Sequence, residues 1–156
     1  MSPGVSNEAA DGADARQRRS DWLREYRRDV TSQDGEDGII EQIVEIVRPD
    51  DGWCVELGAA GGKWYSNTWN LIVNRGWWAV LIEAEAARYR ELLRTHSGNT
   101  RVCCVHARVG FEGRESLDHI LAKASIPKEF SLLSIDVDGN DYHIWTVCAR
   151  TRRRSS

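Results

Sequence analysis

The stretch Trp53-Cys54-Val55-Glu56-Leu57-Gly58-Ala59-Ala60-Gly61-Gly62 decides the reading of this chain. An apolar run of strand length, broken only by Glu56, passes directly into a glycine-rich turn. A short apolar run fits a strand buried on both faces, and glycines at its end let the backbone turn tightly or approach a ligand closely. Working outward, Ser66 to Arg75 reads as a helix bearing Trp69, Leu71, Ile72 and Val73, and Trp78 to Glu83 as a second strand. A helix from Glu85 to Arg94 and a third strand from Arg101 to Ala107 follow. Ser116 then opens a helix capped by its own hydroxyl and carrying Leu117, Ile120 and Leu121. Phe130 to Asp136 is the fourth strand, and a last helix is expected from Asp141 to Arg150. Strands and helices in strict alternation, with nearly continuous apolar strands, predict a parallel sheet covered on both faces. Right-handed crossovers make that a doubly wound α/β sheet.

Upstream, Asp21 to Arg28 can form a short helix displaying Trp22, Leu23 and Tyr26. After the turn-like Ser32-Gln33-Asp34-Gly35, Glu36 and Asp37 stand where a helix N-terminus favours negative charge. Ile39, Ile40, Ile43, Val44 and Val47 recur at helical spacing as one apolar face, and Pro49-Asp50-Asp51-Gly52 ends the helix. Residues 1–19 hold almost no large apolar group, so they are expected to be a disordered leader. Residues 20–150 form the single domain expected from a chain of 156 residues, and residues 151–156 a basic tail.

Bulk properties exclude several classes. With 41% hydrophobic and 29% charged residues, the composition is that of a globular chain rather than a disordered or membrane one. No apolar run reaches the roughly 18 to 20 residues of a membrane span, and there is no basic-then-apolar leader, so a cytoplasmic location without membrane partners is expected. Cys54, Cys103, Cys104 and Cys148 lack metal-knuckle spacing and read as reduced, mostly buried thiols. A net charge of −3 argues against nonspecific coating of nucleic acid. The arginines from Arg16 to Arg28 and from Arg150 to Arg154 read as solvated faces and a loose tail.

Glu83 sharpens the glycine-loop signal. Ending the second strand, it would face the crevice beyond the carboxyl ends of the strands, where an acid can accept hydrogen bonds from both hydroxyls of an adenosine ribose. Dinucleotides and S-adenosylmethionine both use such a pair of features, so charge decides between them. A pyrophosphate against the loop would be repelled by Glu56, whereas S-adenosylmethionine has no phosphate and brings an ammonium and a sulfonium. The glycine order also departs from G-x-G-x-x-G, since position 60 is alanine. S-adenosylmethionine is therefore the expected cofactor. The plain alternative leaves Glu56 and Glu83 as solvated strand ends.

Taken together, Ser32-Gln33-Asp34-Gly35-Glu36-Asp37-Gly38-Ile39-Ile40, Cys54-Val55-Glu56-Leu57-Gly58 with Gly61-Gly62, Leu81-Ile82-Glu83, and Leu133-Ser134-Ile135-Asp136-Val137-Asp138-Gly139-Asn140-Asp141-Tyr142 resemble bacterial FkbM-type methyltransferases. The similarity runs from about Thr31 to Trp145. It implies a Rossmann-like class I methyltransferase fold, S-adenosylmethionine as cofactor, and O-methylation of a small-molecule or glycan-like hydroxyl. By the same resemblance Glu56, Gly58, Ala59 and Gly61 belong to the cofactor loop and Glu83 is the ribose-binding acid. Ala107 and Arg108 would flank the adenine, and Asp136 would stand beside the methyl group, orienting or deprotonating the acceptor hydroxyl.

Asp136, Asp138 and Asp141 crowd into six residues, and strand alternation puts Asp136 and Asp138 on one side. Carboxylates so close repel unless a cation or proton intervenes, so Asp136 and Asp138 are candidate ligands for a divalent cation such as Mg²⁺. Alternatively Asp138 is a turn residue and Asp141 a helix cap. His106, His119 and His143 are candidate bases by residue type alone, and Trp64 and Tyr65 either line a pocket or pack.

The resemblance implies a further strand after the last helix, in the order 3-2-1-4-5. Instead the chain reads Ala149-Arg150-Thr151-Arg152-Arg153-Arg154-Ser155-Ser156, which matches nothing in that pattern, so a fold shortened after strand four is expected. Strand four would then be an edge open to self-association. Two competing readings accompany the enzyme: a noncatalytic remnant that binds S-adenosylmethionine or a partner chain, and a nucleotide-sugar enzyme using Asp136-Val137-Asp138 as a metal pair.

Overall fold

The computed structural model describes residues 21–110, 113–124, 126 and 130–137. The expected leader, the last helix, the basic tail and residues Asp138, Asp141, His143 and Cys148 lie outside the described residues. Four parallel strands, β1 (Trp53–Leu57), β2 (Trp78–Glu83), β3 (Val102–His106) and β4 (Leu132–Ile135), form one sheet in the order β3-β2-β1-β4. The fold is a Rossmann-like α/β sheet, as the alternation predicts. The helices are α1 (Glu36–Val47), α2 (Trp69–Arg75), α3 (Ala86–Thr95) and α4 (Leu117–Lys123), with 3₁₀ turns at Trp22–Tyr26 and Gly113–Glu115.

Strand alternation sends side chains to two separate cores. Cys54, Ala79 and Leu81 meet Leu71, Ile72 and Leu92 on the face covered by α1, α2 and α3. Val55, Leu57, Val80 and Ile82 meet Leu117 and Ile120 of α4 on the other. All seven of these strand residues are at most 1% exposed, which explains why the strands tolerate so few polar residues. Ser116 caps α4 by accepting from the His119 amide at 3.3 Å, as read from the sequence.

One expectation is corrected. α2 begins at Trp69 rather than Ser66, because residues 66–68 are drawn out of the helix by bonds to Glu56 described below. The apolar stripe of α1 is covered only in part: Ile40 and Val44 pack on the core, while Ile43 and Val47 are exposed. With Pro49, Trp77, Ser131 and Leu132 they line an apolar groove at the amino ends of the strands. Among the described residues no helix is long and apolar enough to cross a membrane. Cys54, Cys103 and Cys104 are free thiols, and burial raises all three, Cys104 to about 11.

Candidate functional site

The carboxyl ends of β1, β2 and β4 converge at the turn after β1. Gly58 takes a left-handed φ of 75°, and a Cβ there would lie 1.8 Å from the Asp136 carbonyl oxygen. The Asp136 amide in turn donates to Leu57 O at 3.1 Å. A glycine is therefore demanded by the approach of β4's end, whatever ligand the loop binds. Gly61 and Gly62 also make room for protein, namely the carboxylate of Glu91 and the side chains of Leu92 and His96. From α3, the Thr95 hydroxyl donates to Gly61 O at 2.6 Å, and His96 Nε2 lies 2.9 Å from Gly62 O.

Glu83 sits where the sequence places it, at the last position of β2, and is 5% exposed. Its Oε2 accepts from the Ala60 amide and its Oε1 from the Glu85 amide, at 2.8 and 2.7 Å. One carboxylate thus ties the turn after β1 to the turn after β2. The Ala107 amide donates to Glu83 O at 3.1 Å, so Glu83, Ala60 and Ala107 are brought together. Arg108 follows as an exposed side chain. Beside them, Tyr89 and His106 stack with ring centroids 4.8 Å apart, and His106 Nε2 lies 3.0 Å from Ala84 O.

Glu56 behaves differently from a solvated strand end. It is 2% exposed, and its Oε2 accepts from the hydroxyls of Ser66 at 2.8 Å and Thr68 at 2.7 Å. Its Oε1 accepts from the Asn67 amide at 2.8 Å. The carboxylate grips residues 66–68, and through them the whole segment between the glycine turn and α2. Burial pushes its pKa up against the opposing pull of these three donors, and the negative charge of Asp136 pushes it further in the same direction. Asp136, exposed at the end of β4, is therefore electrostatically in touch with Glu56. Its proposed metal partner Asp138 lies outside the described residues. Among the described residues no cluster of three or more His, Cys, Asp or Glu side chains could hold an ion.

The same segment is held from the other side by residues that the sequence did not single out for it. Asp37, read as a helix-terminal acid, is 2% exposed, and its Oδ2 accepts from the amides of Val30, Thr31 and Ser32 at 2.7 to 2.8 Å. Thr31 O then accepts the Tyr65 amide at 2.8 Å, and the Thr31 hydroxyl donates to Ser66 O at 3.2 Å. Asp37, Thr31, Ser66 and Glu56 form one connected chain of bonds. The signal available in sequence was the density of Ser, Thr and Asp around Gly35 and Gly38, but nothing local says that two segments 35 residues apart will meet. Glu91, Thr95 and His96 had no local signal at all.

The fold and this geometry define a Rossmann-like α/β domain with its polar connections gathered at the carboxyl edge of the sheet. No protein-family model matches the chain, and no curated protein and no solved structure matches it.

Proposed function

We propose that the chain is the cofactor-binding part of an S-adenosylmethionine-dependent methyltransferase acting on a hydroxyl of a small-molecule or glycan-like acceptor. The observation that carries this reading is Glu83: an acid at the end of β2, its two carboxylate oxygens on the amides of Ala60 in the glycine turn and Glu85 after β2, and its backbone carbonyl on the Ala107 amide after β3. Each oxygen accepts one amide and keeps a second lone-pair direction with which to accept from a ribose hydroxyl. The turn's amides favour a phosphate-free ligand. Gly58 N and Ala59 N both donate to Ile82 O, at 3.0 and 3.1 Å, Ala60 N to Glu83, and Gly62 N to Ala59 O. A pyrophosphate needs such amides, preferably at a helix start, and α2 begins only at Trp69. Repulsion by Glu56 is not needed for this choice, since its carboxylate oxygens accept from Ser66, Asn67 and Thr68.

Bound S-adenosylmethionine would supply an electrophilic methyl group on its sulfonium. The chain's task is to hold the acceptor oxygen in line with it, which can supply most of the acceleration. Gly58 and Ala59 would sit under the ligand, Ala107 and Arg108 beside the adenine, and Asp136 would orient or deprotonate the acceptor hydroxyl. A Mg²⁺ ion held by Asp136 with Asp138 is the variant of this mechanism that the acidic run suggests. A second reading, a noncatalytic S-adenosylmethionine-binding or partner-binding form, is favoured by one observation. β4 is the outer strand among the described residues, with Leu132, Leu133 and Ile135 only half-buried, a surface suited to self-association.

Calorimetry with S-adenosylmethionine, S-adenosylhomocysteine, NAD and a UDP-sugar separates these readings. The first two should bind and the others should not; a preference for NAD or the UDP-sugar would remove the methyltransferase reading. Glu83→Ala should weaken S-adenosylmethionine binding by about ten- to over a hundredfold, the equivalent of about 1.5 to 3 kcal/mol. Unchanged affinity in that variant would take Glu83 out of the site. Cofactor binding without turnover, in a chain that self-associates, would favour the noncatalytic form.

A further inference from the structure

His106 ends β3 directly beside Glu83, its register partner at the end of β2. Its imidazole is exposed, so burial does not explain its placement. Residue type alone makes it a candidate base; its contacts give it another part. The ring lies flat against Tyr89 of α3, with centroids 4.8 Å apart and planes 12° from parallel. Tyr89 is anchored in turn: it packs on the core, its hydroxyl donates to Cys104 O at 3.5 Å, and its amide donates to Glu85 O at 2.9 Å. With its plane set by this stack, the His106 ring brings Nε2 to 3.0 Å from Ala84 O. A carbonyl can only accept, so Nε2 carries the hydrogen in this bond.

Ala84 O and the Glu85 amide belong to one planar peptide group, whose C=O and N–H point in opposite directions. His106 holds the C=O, and Glu83 Oε1 accepts from the N–H at 2.7 Å. One peptide plane is thus gripped at both ends, by the two residues that close β2 and β3. Were that plane to turn over, Glu83 would lose one of its two amide donors and be held by the Ala60 amide alone.

We infer that His106 is a positioning residue for Glu83: by holding the Ala84 carbonyl it keeps the Glu85 amide on the Glu83 carboxylate, and so keeps that carboxylate set for its ligand. A carboxylate already fixed in one rotamer has less freedom to lose when a ligand's hydroxyls reach it, and that difference appears as affinity. The inference rests on the proposed cofactor site for its effect on binding, but not for the clamp on the peptide plane itself.

Two substitutions separate the ring from the bond. His106→Phe keeps a ring on Tyr89 and removes the donor, whereas His106→Gln removes the ring and offers an amide N–H in place of Nε2–H. Hydrogen exchange at the Glu85 amide, followed by NMR in the full chain, should be about tenfold faster in His106→Phe and near the wild-type rate in His106→Gln. The Val80 amide, in the middle of the sheet, is the control for global opening and should not change. S-adenosylmethionine affinity by calorimetry should fall about three- to tenfold in His106→Phe and less than twofold in His106→Gln. A Glu85 amide that exchanges freely in the wild type, or at an unchanged rate in His106→Phe, overturns the clamp. So does equal loss in both variants, which would put the effect in the ring, or an equal rise at Val80, which would make it ordinary unfolding. Faster Glu85 exchange with unchanged S-adenosylmethionine affinity would refute the positioning role while the cofactor reading stands. A chain that shows the exchange pattern yet binds no S-adenosylmethionine would sink the cofactor reading and leave the clamp in place.

Discussion

The two ends of the sheet are made of different material. At the carboxyl ends, Glu56 and Glu83 are buried carboxylates that accept from donors on neighbouring turns, and Gly58 lies against the backbone of Asp136. At the amino ends, Trp53 stacks on Trp78 at 5.3 Å, and Ile43, Val47, Trp77 and Leu132 line an apolar groove. A groove of this kind holds its shape by nondirectional contact, so it tolerates small changes. Buried carboxylates tolerate few, because each oxygen needs its donors and each donor its acceptor. The difference shows which end has been organised around fixed polar geometry, and that end is also where α/β sheets take their ligands.

The contrast can be broken most directly at Gly58. Gly58→Ala places a Cβ against the Asp136 carbonyl at a φ of 75°, and should cost about 3 kcal/mol or more in urea unfolding. Gly98→Ala is the control, since its φ is 81° but nothing lies within 4 Å, and about 1 kcal/mol is expected from the backbone alone. Equal costs at the two positions would mean that the junction of β1 and β4 is looser than described.

Glu56 sharpens the comparison. Glu56→Ala leaves the Asn67 amide and the Ser66 and Thr68 hydroxyls without their acceptor, and should destabilise the chain by about 2 to 3 kcal/mol. Glu56→Gln keeps the shape and isolates the charge. Because burial raises the folded pKa above the ordinary 4.5, the native state holds this proton more tightly than the unfolded chain. The stability from that proton is present below pH 4.5 and lost as pH rises through the folded value. Subtracting the Gln variant's stability from the wild type's at each pH should therefore give a difference that falls with rising pH. A difference that rises instead would mean that the three donors outweigh burial. Glu41, on α1, shifts oppositely: its hydrogen bond to Arg75 holds it below the usual range, and the subtraction removes that contribution.

The smallest effects belong to the other end of the sheet. Ile46→Ser and Val47→Ser, at 55% and 66% exposure on α1, should each change stability by no more than about 0.5 kcal/mol. A larger loss would show that this face is covered in solution, for instance by a second copy, which sedimentation would detect.

Much of the fold was legible. β1 and β2 fall on the residues their apolar runs predicted, because a strand buried on both faces can carry little else. β3 and β4 are shorter than read by one to two residues at each end, although Arg101, Ala107, Ser131 and Asp136 still bond to the neighbouring strands. The site was legible in its strand-borne acids, Glu56 and Glu83, and much less so in its turns. Ser66 to Thr68 read as a helix start because helix propensity is local, whereas the acceptor that draws them away sits ten or more residues upstream. Asp37 illustrates the same point, since a helix-terminal acid looks alike whether it faces water or three buried amides.

Sequence by itself determined the order of strands and helices, the two-sided burial of the sheet, and the position of Glu83 at a strand's end, because periodicity and turn chemistry are properties of neighbouring residues. Tertiary structure alone decided what the acids touch. It turned Glu56 inward onto residues 66–68, tied Glu83 to Ala60, made Gly58 a point of contact with β4, and left Trp64 and Tyr65 exposed. Those outcomes depend on segments distant in the chain meeting at one edge of the sheet, where the energy of each bond is set by its burial.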